Sequence, residues 1–165
     1  LCWGAMAALY HFYGIPKYQR PMKKFGIFKT YPSDEQLPIF RGFDDLFYMP
    51  HSRHTEVRQA DIEKVPELNI IAKSPEAGVS IVSSRNGRDF YILGHLEYAP
   101  NTLDNEYHRD LGKRDDVALP QHYYRDDDPE RGYKVRWRSA ANLFYSNWID
   151  YYVYQETPFN ISDIK

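Results

Sequence analysis

Segments with a helical hydrophobic pattern alternate with short strand-like segments along the 165-residue chain. Residues 4–13 predict an amphipathic helix, because their apolar side chains recur at spacings of three and four, and Gly14 ends it. Three strand signals follow one another closely at 69–73, 79–83 and 89–93, separated by turn residues that include the Asn-Gly pair typical of a tight hairpin. This alternation favours an α/β domain of three layers with a mixed sheet.

Weaker patterns place the remaining elements. A helix capped by Thr102 and a last helix capped by Ser139 are predicted, with Pro158 ending the latter. Charged residues dominate 112–134, which predicts a solvated excursion. The other predictions are a short strand at 25–28, a loop or short helix at 30–38, a strand followed by a loop at 47–55 and one helical turn at 61–64.

The charges of the chain are nearly balanced, with 21 Lys and Arg against 23 Asp and Glu. A protein that tracks phosphates usually carries a basic excess, so nucleic-acid binding is not expected. No run of about 18 apolar residues predicts a membrane span. The single cysteine excludes an internal disulfide and suits a reducing compartment, so a cytoplasmic protein is expected.

That cysteine, Cys2, stands directly before the first predicted helix. Free N–H groups and the helix dipole favour a thiolate at such a position. The N–H of Trp3 is placed to help bind an oxyanion. The alternative is a small buried residue that merely precedes a core helix, and the local sequence leaves both interpretations open.

His95 and Glu97 follow an apolar strand and Gly94. At a spacing of two, their side chains leave the same side of an extended chain. Glu97 could hold the imidazole in one tautomer while His95 exchanges protons with Cys2, which is the logic of a catalytic triad. Alone, the pair could equally be a surface His and Glu at the end of a strand.

Together these features resemble the class I glutamine-amidotransferase-like fold, in which a cysteine at a strand–helix elbow precedes a strand ending in Gly-His-x-Glu. The whole chain further resembles the homoserine O-acyltransferases of methionine biosynthesis. The residues that carry this resemblance are Cys2–Ala5, Tyr13–Lys17, Arg41–Asp44, Pro50–Val57, Ile62–Glu67, Gly94–Tyr98, Trp137–Ser139, Asn142, Asn147–Trp148 and Tyr151–Pro158.

The resemblance implies a role for each catalytic side chain. Cys2 would take the acyl group from acyl-CoA as a thioester, His95 would act as general base and acid, and Glu97 would orient it. The hydroxyl of L-homoserine would then attack the thioester, giving ping-pong kinetics in this transferase of amino-acid biosynthesis. Residues that match the family's homoserine contacts are Lys23, Ser52 and Arg109.

The resemblance also implies the extent of the domain. Residues 1–165 correspond to the C-terminal portion of a single catalytic domain, from the nucleophile onward, with a mixed and mostly parallel sheet. Two positions depart from the family's pattern: Met6, where many relatives have glutamine, and Leu96, where proline is frequent. A glutamine after the elbow is usual in glutaminases, so Met6 argues mildly against that activity.

Acetyl-CoA is favoured as co-substrate, with succinyl-CoA possible, and no cofactor is expected. His51 and His54 are spaced to share a metal ion, but no further Cys or His cluster supplies ligands, so no metal is expected. The aromatic stripe of the last helix suits a core or a homodimer interface. Two alternatives stay open: a glutaminase or cysteine hydrolase of the same fold, and a non-catalytic fragment that binds a partner.

Overall fold

The computed structural model describes residues 1–113, 117–155 and residue 162. Five strands form one sheet in the order β2-β1-β3-β4-β5. Their bounds are β1 (Tyr18–Pro32), β2 (Phe47–Glu56), β3 (Leu68–Ser74), β4 (Gly78–Ser84) and β5 (Phe90–Ile92). The predicted strands at 69–73, 79–83 and 89–93 are thus confirmed, whereas β1 is far longer than the predicted 25–28.

Every ladder between the five named strands is antiparallel. The expectation of a mostly parallel sheet is therefore wrong for this part of the chain. The physical reason is connection length: residues 75–77 join β3 to β4 and residues 85–89 join β4 to β5, whereas a parallel pair needs a crossover of about a dozen residues or more. The predicted hairpin is present, with Gly87 at φ 74° in its turn.

Four α-helices lie among the described residues, and no helix there is long and apolar enough to cross a membrane. They are α1 (Cys2–Tyr13), α2 (Gln59–Ile62), α3 (Thr102–Leu111) and α4 (Arg138–Trp148), which continues as a π-helical turn at Ile149–Val153. Gly14 ends α1 in the left-handed conformation, as predicted. The capping predictions are wrong: Thr102 and Ser139 lie inside the first turns, after Asn101 and Trp137. Pro158 lies outside the described residues.

Helices cover both faces of the sheet, which gives three layers. Successive residues of β4 and β5 point to opposite faces, as the strand period of two requires. Ile81 and Ile92 pack in a cluster with α3 and α4, whereas Val82 and Tyr91 pack in a second cluster with α1 and α2. The predicted three-layer α/β arrangement is thus present, and the second cluster anchors the helix that begins at Cys2.

Among its described residues, 112–113 and 117–134, the segment 112–134 is only in part the solvated excursion that its charges predict. Tyr123 and Tyr124 are completely buried, and their hydroxyls donate to the Pro100 carbonyl at 2.6 Å and to Asp104 Oδ1 at 2.5 Å. The backbone N–H and carbonyl of Gln121 form hydrogen bonds with the backbone of β1 on the two sides of Gly26. A Cβ on Gly26 would lie 2.2 Å from the Gln121 carbonyl oxygen, so only glycine permits this approach.

Candidate active site

Cys2 is the first residue of α1 and is buried. Its φ of 45° lies in the left-handed region, which is uncommon for a residue with a side chain and marks a strained elbow. No side chain caps α1. The N–H of Trp3 lies in the first helical turn, where backbone donors lack intrahelical acceptors. The position therefore combines a constrained thiol with donors suited to a developing negative charge.

His95 meets Glu97 directly after β5. The His95 Nδ1 and Glu97 Oε1 atoms are 2.6 Å apart, with His95 13% and Glu97 38% exposed. The backbone N–H of His95 donates to the Pro50 carbonyl of β2 at 2.8 Å. Its ring stacks on Tyr98, with centroids 4.1 Å apart. The imidazole is thus fixed by its backbone, by one ring nitrogen and by one ring face.

The third contact of this imidazole is Cys2. Burial lowers the pKa of His95, but hydrogen bonds to Cys2 and Glu97 outweigh it and raise that pKa to about 9. The imidazole is therefore protonated at neutral pH and can pair with a thiolate. The geometry brings Cys2, His95 and Glu97 together, and their roles as nucleophile, base and orienter stay a prediction.

The raised pKa predicts how stability depends on pH. His95 holds its proton more tightly in the folded protein, so its contribution is fully present below its unfolded pKa of about 6.5. We expect it to be lost as the pH rises from there through about 9. Urea unfolding of full-length wild type and His95→Gln at several pH values measures this, and their free energies of unfolding should converge toward pH 10. A constant difference would contradict the assignment.

Gly94 lets β2 approach the loop that carries His95. A Cβ at Gly94 would lie 2.5 Å from Met49 Sδ and 2.7 Å from the Pro50 carbonyl oxygen. Both neighbours are buried, so they have little space in which to move. The glycine therefore fixes the distance between β2 and the catalytic loop.

We expect Gly94→Ala to destabilise the full-length protein by about 1–3 kcal/mol, the range typical of overpacking. Displacement of His95 should lower turnover as well. Urea unfolding and steady-state kinetics measure both effects. Gly4→Ala is the matched control for stability, because its Cβ would meet nothing within 4 Å and alanine favours a helix. Wild-type stability in Gly94→Ala would show that the contact is not restrictive.

A polar cluster adjoins the three residues and centres on Glu106 of α3. Ser52 of β2 donates to Glu106 Oε2, and the Tyr98 hydroxyl donates to its Oε1 at 2.7 Å. Lys23 of β1 lies 3.4 Å from Glu106 Oε2 and 3.1 Å from Asp110 Oδ2. Because Tyr98 also stacks on His95, the cluster is joined to the catalytic histidine.

The structure places the three predicted homoserine contacts unequally. Lys23 and Ser52 lie in the Glu106 cluster. Arg109 is 56% exposed, and its Nε and Nη2 atoms lie 2.9 and 2.8 Å from Asp110 Oδ1. Arg109 therefore contacts the cluster through Asp110, at its outer edge. The homoserine-binding roles of Lys23, Ser52 and Arg109 stay predictions.

A family model described as homoserine O-succinyltransferase matches residues 1–159. The chain belongs to this family. A homoserine O-acetyltransferase of Bacteroides thetaiotaomicron is 57% identical over all 165 residues, which match 54% of that protein. One of Brevibacillus brevis is 53% identical over 165 residues and is also matched over 54% of its length. The chain thus spans about half the length of these curated relatives, and the predicted family resemblance is confirmed.

Solved structures give the fold of this homoserine O-succinyltransferase family member. A glutamine amidotransferase of Thermotoga maritima superposes with a TM-score of 0.59 over 90% of the chain and 59% of its own, at 15% identity. A glutamine amidotransferase of Methylobacillus flagellatus gives 0.56 over 90% and 60%, at 13% identity. At such low identities these likenesses show the fold alone, and they agree with the predicted glutamine-amidotransferase-like fold.

Sequence reasoning missed Glu106 in this family member. Glu106 stands three positions before Arg109 on α3, but Arg109 pairs with Asp110 instead. No local pattern marks Glu106, since its partners come from three other segments. Among the described residues no group of three or more His, Cys, Asp or Glu could hold a metal ion.

Proposed function

We propose that this protein transfers an acyl group from acyl-CoA to the γ-hydroxyl of L-homoserine in methionine biosynthesis. The observation that carries the proposal is that Cys2, His95 and Glu97 lie beside the Glu106 cluster. Lys23 and Glu106 lie 3.4 Å apart and pair with each other, and each carries the charge that would bind one charged group of homoserine, its carboxylate or its ammonium. Family membership supports the same reaction.

In the proposed first half-reaction, the Cys2 thiolate attacks the carbonyl carbon of the acyl thioester. The N–H of Trp3 supports the negative oxygen that forms, and coenzyme A leaves as its thiolate, taking the proton of His95. In the second half-reaction neutral His95 removes the proton of the homoserine hydroxyl. The hydroxyl oxygen attacks the acyl-cysteine, and Cys2 is released as thiolate. Each bond formed is matched by one broken, so no resident cofactor or metal is required.

We propose acetyl-CoA as the preferred donor, with succinyl-CoA as the alternative. The relatives at 51–57% identity are named homoserine O-acetyltransferase, whereas the family description names the succinyl transfer. The reaction is assigned to the cytoplasm, where coenzyme A thioesters and reduced cysteines occur together.

We also propose an assembly for the full-length protein. Among the described strands β5 is paired on one side only, with β4, and α1 packs against it. A strand leading into Cys2 would add alongside β5 and supply the parallel part of the sheet that the family fold implies. Exposed apolar side chains after α4, Ile149 and Tyr154, suit a homodimer interface.

The test is to incubate the full-length protein with acetyl-CoA or succinyl-CoA, with and without L-homoserine. We expect release of coenzyme A to depend on homoserine, with acetyl-CoA the faster donor. Release that does not depend on homoserine would support a hydrolase of the same fold. Ammonia release from glutamine would support a glutaminase of the same fold. Activity of neither kind would leave a partner-binding role.

A further inference from the structure

Arg53 is a buried charge that the proposed reaction does not use. It lies on β2 and is 4% exposed, and within the described part of the chain its hydrogen bonds go to neutral groups. Its Nη1 and Nη2 atoms donate to the carbonyls of Thr55 and Ala77, both at 2.6 Å, and its Nε donates to His51 Nδ1 at 3.5 Å. Burying an unpaired cation costs several kcal/mol, so this guanidinium needs an explanation.

The neighbours of Arg53 do not supply a permanent negative charge. Among the described residues no carboxylate forms an ion pair with Arg53, and Arg20 is paired with Glu56. Burial, followed by the charge of Arg20, lowers the pKa of Arg53 to about 10, and Cys2 alone acts in the opposite direction. Even so, Arg53 stays protonated at neutral pH and faces one group that can become an anion.

The packing places Arg53 on the side of the sheet that carries α1. Residues of one strand at a spacing of two share a face, and Thr55 on this face donates to Met6 Sδ of α1 at 3.5 Å. Met6 lies about one turn after Cys2. The guanidinium therefore lies in the layer between β2 and the start of α1. Its two hydrogen bonds to the carbonyls of Thr55 and Ala77 hold it there.

His51, on the same face, cannot take over this role. It is completely buried, and burial together with the positive charges of Arg53 and His95 holds its pKa well below 6.5. Its imidazole is therefore neutral and accepts the Nε–H of Arg53. His51 fixes the guanidinium but adds no charge, so the positive charge beneath the site is that of Arg53.

We infer that Arg53 is a positioning residue whose fixed positive charge, held by the carbonyls of Thr55 and Ala77, stabilises the negative charge of the Cys2 sulfur. His95 stabilises the same sulfur and must give up its proton during the proposed reaction. Arg53 keeps its charge throughout, because a guanidinium is not deprotonated at physiological pH. The inference adds a second, permanent cation to the proposed mechanism.

The experiment measures the rate at which iodoacetamide alkylates Cys2 in the full-length protein between pH 5 and 10. Mass spectrometry of the peptide that contains Cys2 gives the rate. Three variants are compared with wild type: Arg53→Met and Arg53→Gln, which remove the charge, and Arg53→Lys, which keeps it. Besides Arg53, the groups near Cys2 are His95, Tyr98 and Glu97, and those near Arg53 are Arg20, Lys24 and His51. All are unchanged in these variants.

We expect the pH of half-maximal alkylation to rise by about one unit or more in the two neutral variants, since a pair of partly desolvated charges interacts by about that order. Arg53→Lys should keep the wild-type profile even if its melting temperature falls. Arg136→Met is the matched control, because Arg136 is exposed and its Nη1 atom donates to the Tyr48 hydroxyl at 3.4 Å.

A wild-type alkylation profile in either folded neutral variant would overturn the inference, as would a shift in Arg53→Lys equal to that of the neutral variants. Should Arg53→Met fail to fold, Arg53→Gln and Arg53→Lys still decide, because glutamine can donate to the Ala77 carbonyl without carrying charge. The role rests on the proposed function, but alkylation needs neither homoserine nor acyl-CoA. Loss of the proposed activity and failure of this inference are therefore distinguishable.

Discussion

Replacing Cys2 by serine in the full-length protein is expected to abolish the acyl-enzyme and to lower acyl transfer on the order of 10³-fold or more. A serine hydroxyl at the same elbow stays un-ionised at neutral pH and is a far weaker nucleophile than a thiolate. Mass spectrometry after mixing with acetyl-CoA, without homoserine, should show an added acetyl group on wild type and none on Cys2→Ser.

His11→Gln is the matched control for this experiment. His11 lies on the exposed face of the same helix, near its end, and does not approach the site. It should retain the adduct and the activity. An acyl adduct that survives in Cys2→Ser would mean that another residue carries the acyl group, and both the nucleophile assignment and the ping-pong mechanism would fall.

Replacing Glu106 by glutamine is expected to lower kcat/KM for homoserine by about 10- to 100-fold. The reason is the loss of a charged acceptor shared by Ser52, Tyr98 and Lys23, since a charge-assisted hydrogen bond contributes about 1.5–3 kcal/mol. The first half-reaction should be unaffected, because in the proposed mechanism Cys2 reacts there with the help of His95 and Glu97 alone. Formation of the acetyl adduct at the wild-type rate, together with a raised KM for homoserine, would give this signature.

Glu130→Gln provides the control, since Glu130 is an exposed acid on another segment. It should leave both half-reactions unchanged. If Glu106→Gln slows adduct formation as much as the overall reaction, the carboxylate supports the nucleophile rather than the acceptor. If homoserine kinetics are unchanged, the Glu106 cluster is only structural.

The candidate residues could be singled out from sequence because their patterns are local. Cys2 stands directly before a predicted amphipathic helix, and His95 and Glu97 stand two apart after a strand. Both patterns depend on residues close in the chain, so they hold whatever the tertiary structure. The α/β class and most strands could be predicted for the same reason: hydrophobic period reports local structure.

The Glu106 cluster and Arg53 could not be recognised in this way. Glu106 contacts Ser52 and Lys23, which lie 54 and 83 residues from it along the chain. A local sequence pattern does not indicate contacts between residues so far apart. Arg53 appears as one charge among many in a polar stretch. Only the packing of β2 under α1 removes it from water and leaves it without a carboxylate.

The sequence by itself determined the alternation of helices and strands, the family, and the position of the thiol before a helix. The alternation and the position of the thiol follow from neighbouring residues, whose propensity and spacing act without the rest of the chain, and the family follows from motifs spread along the whole chain. Tertiary structure decided that the strands pair antiparallel, that Tyr123 and Tyr124 are buried within a charged segment, and that Cys2 meets His95. These outcomes depend on which distant surfaces exclude water together, and that is settled only when the whole chain packs.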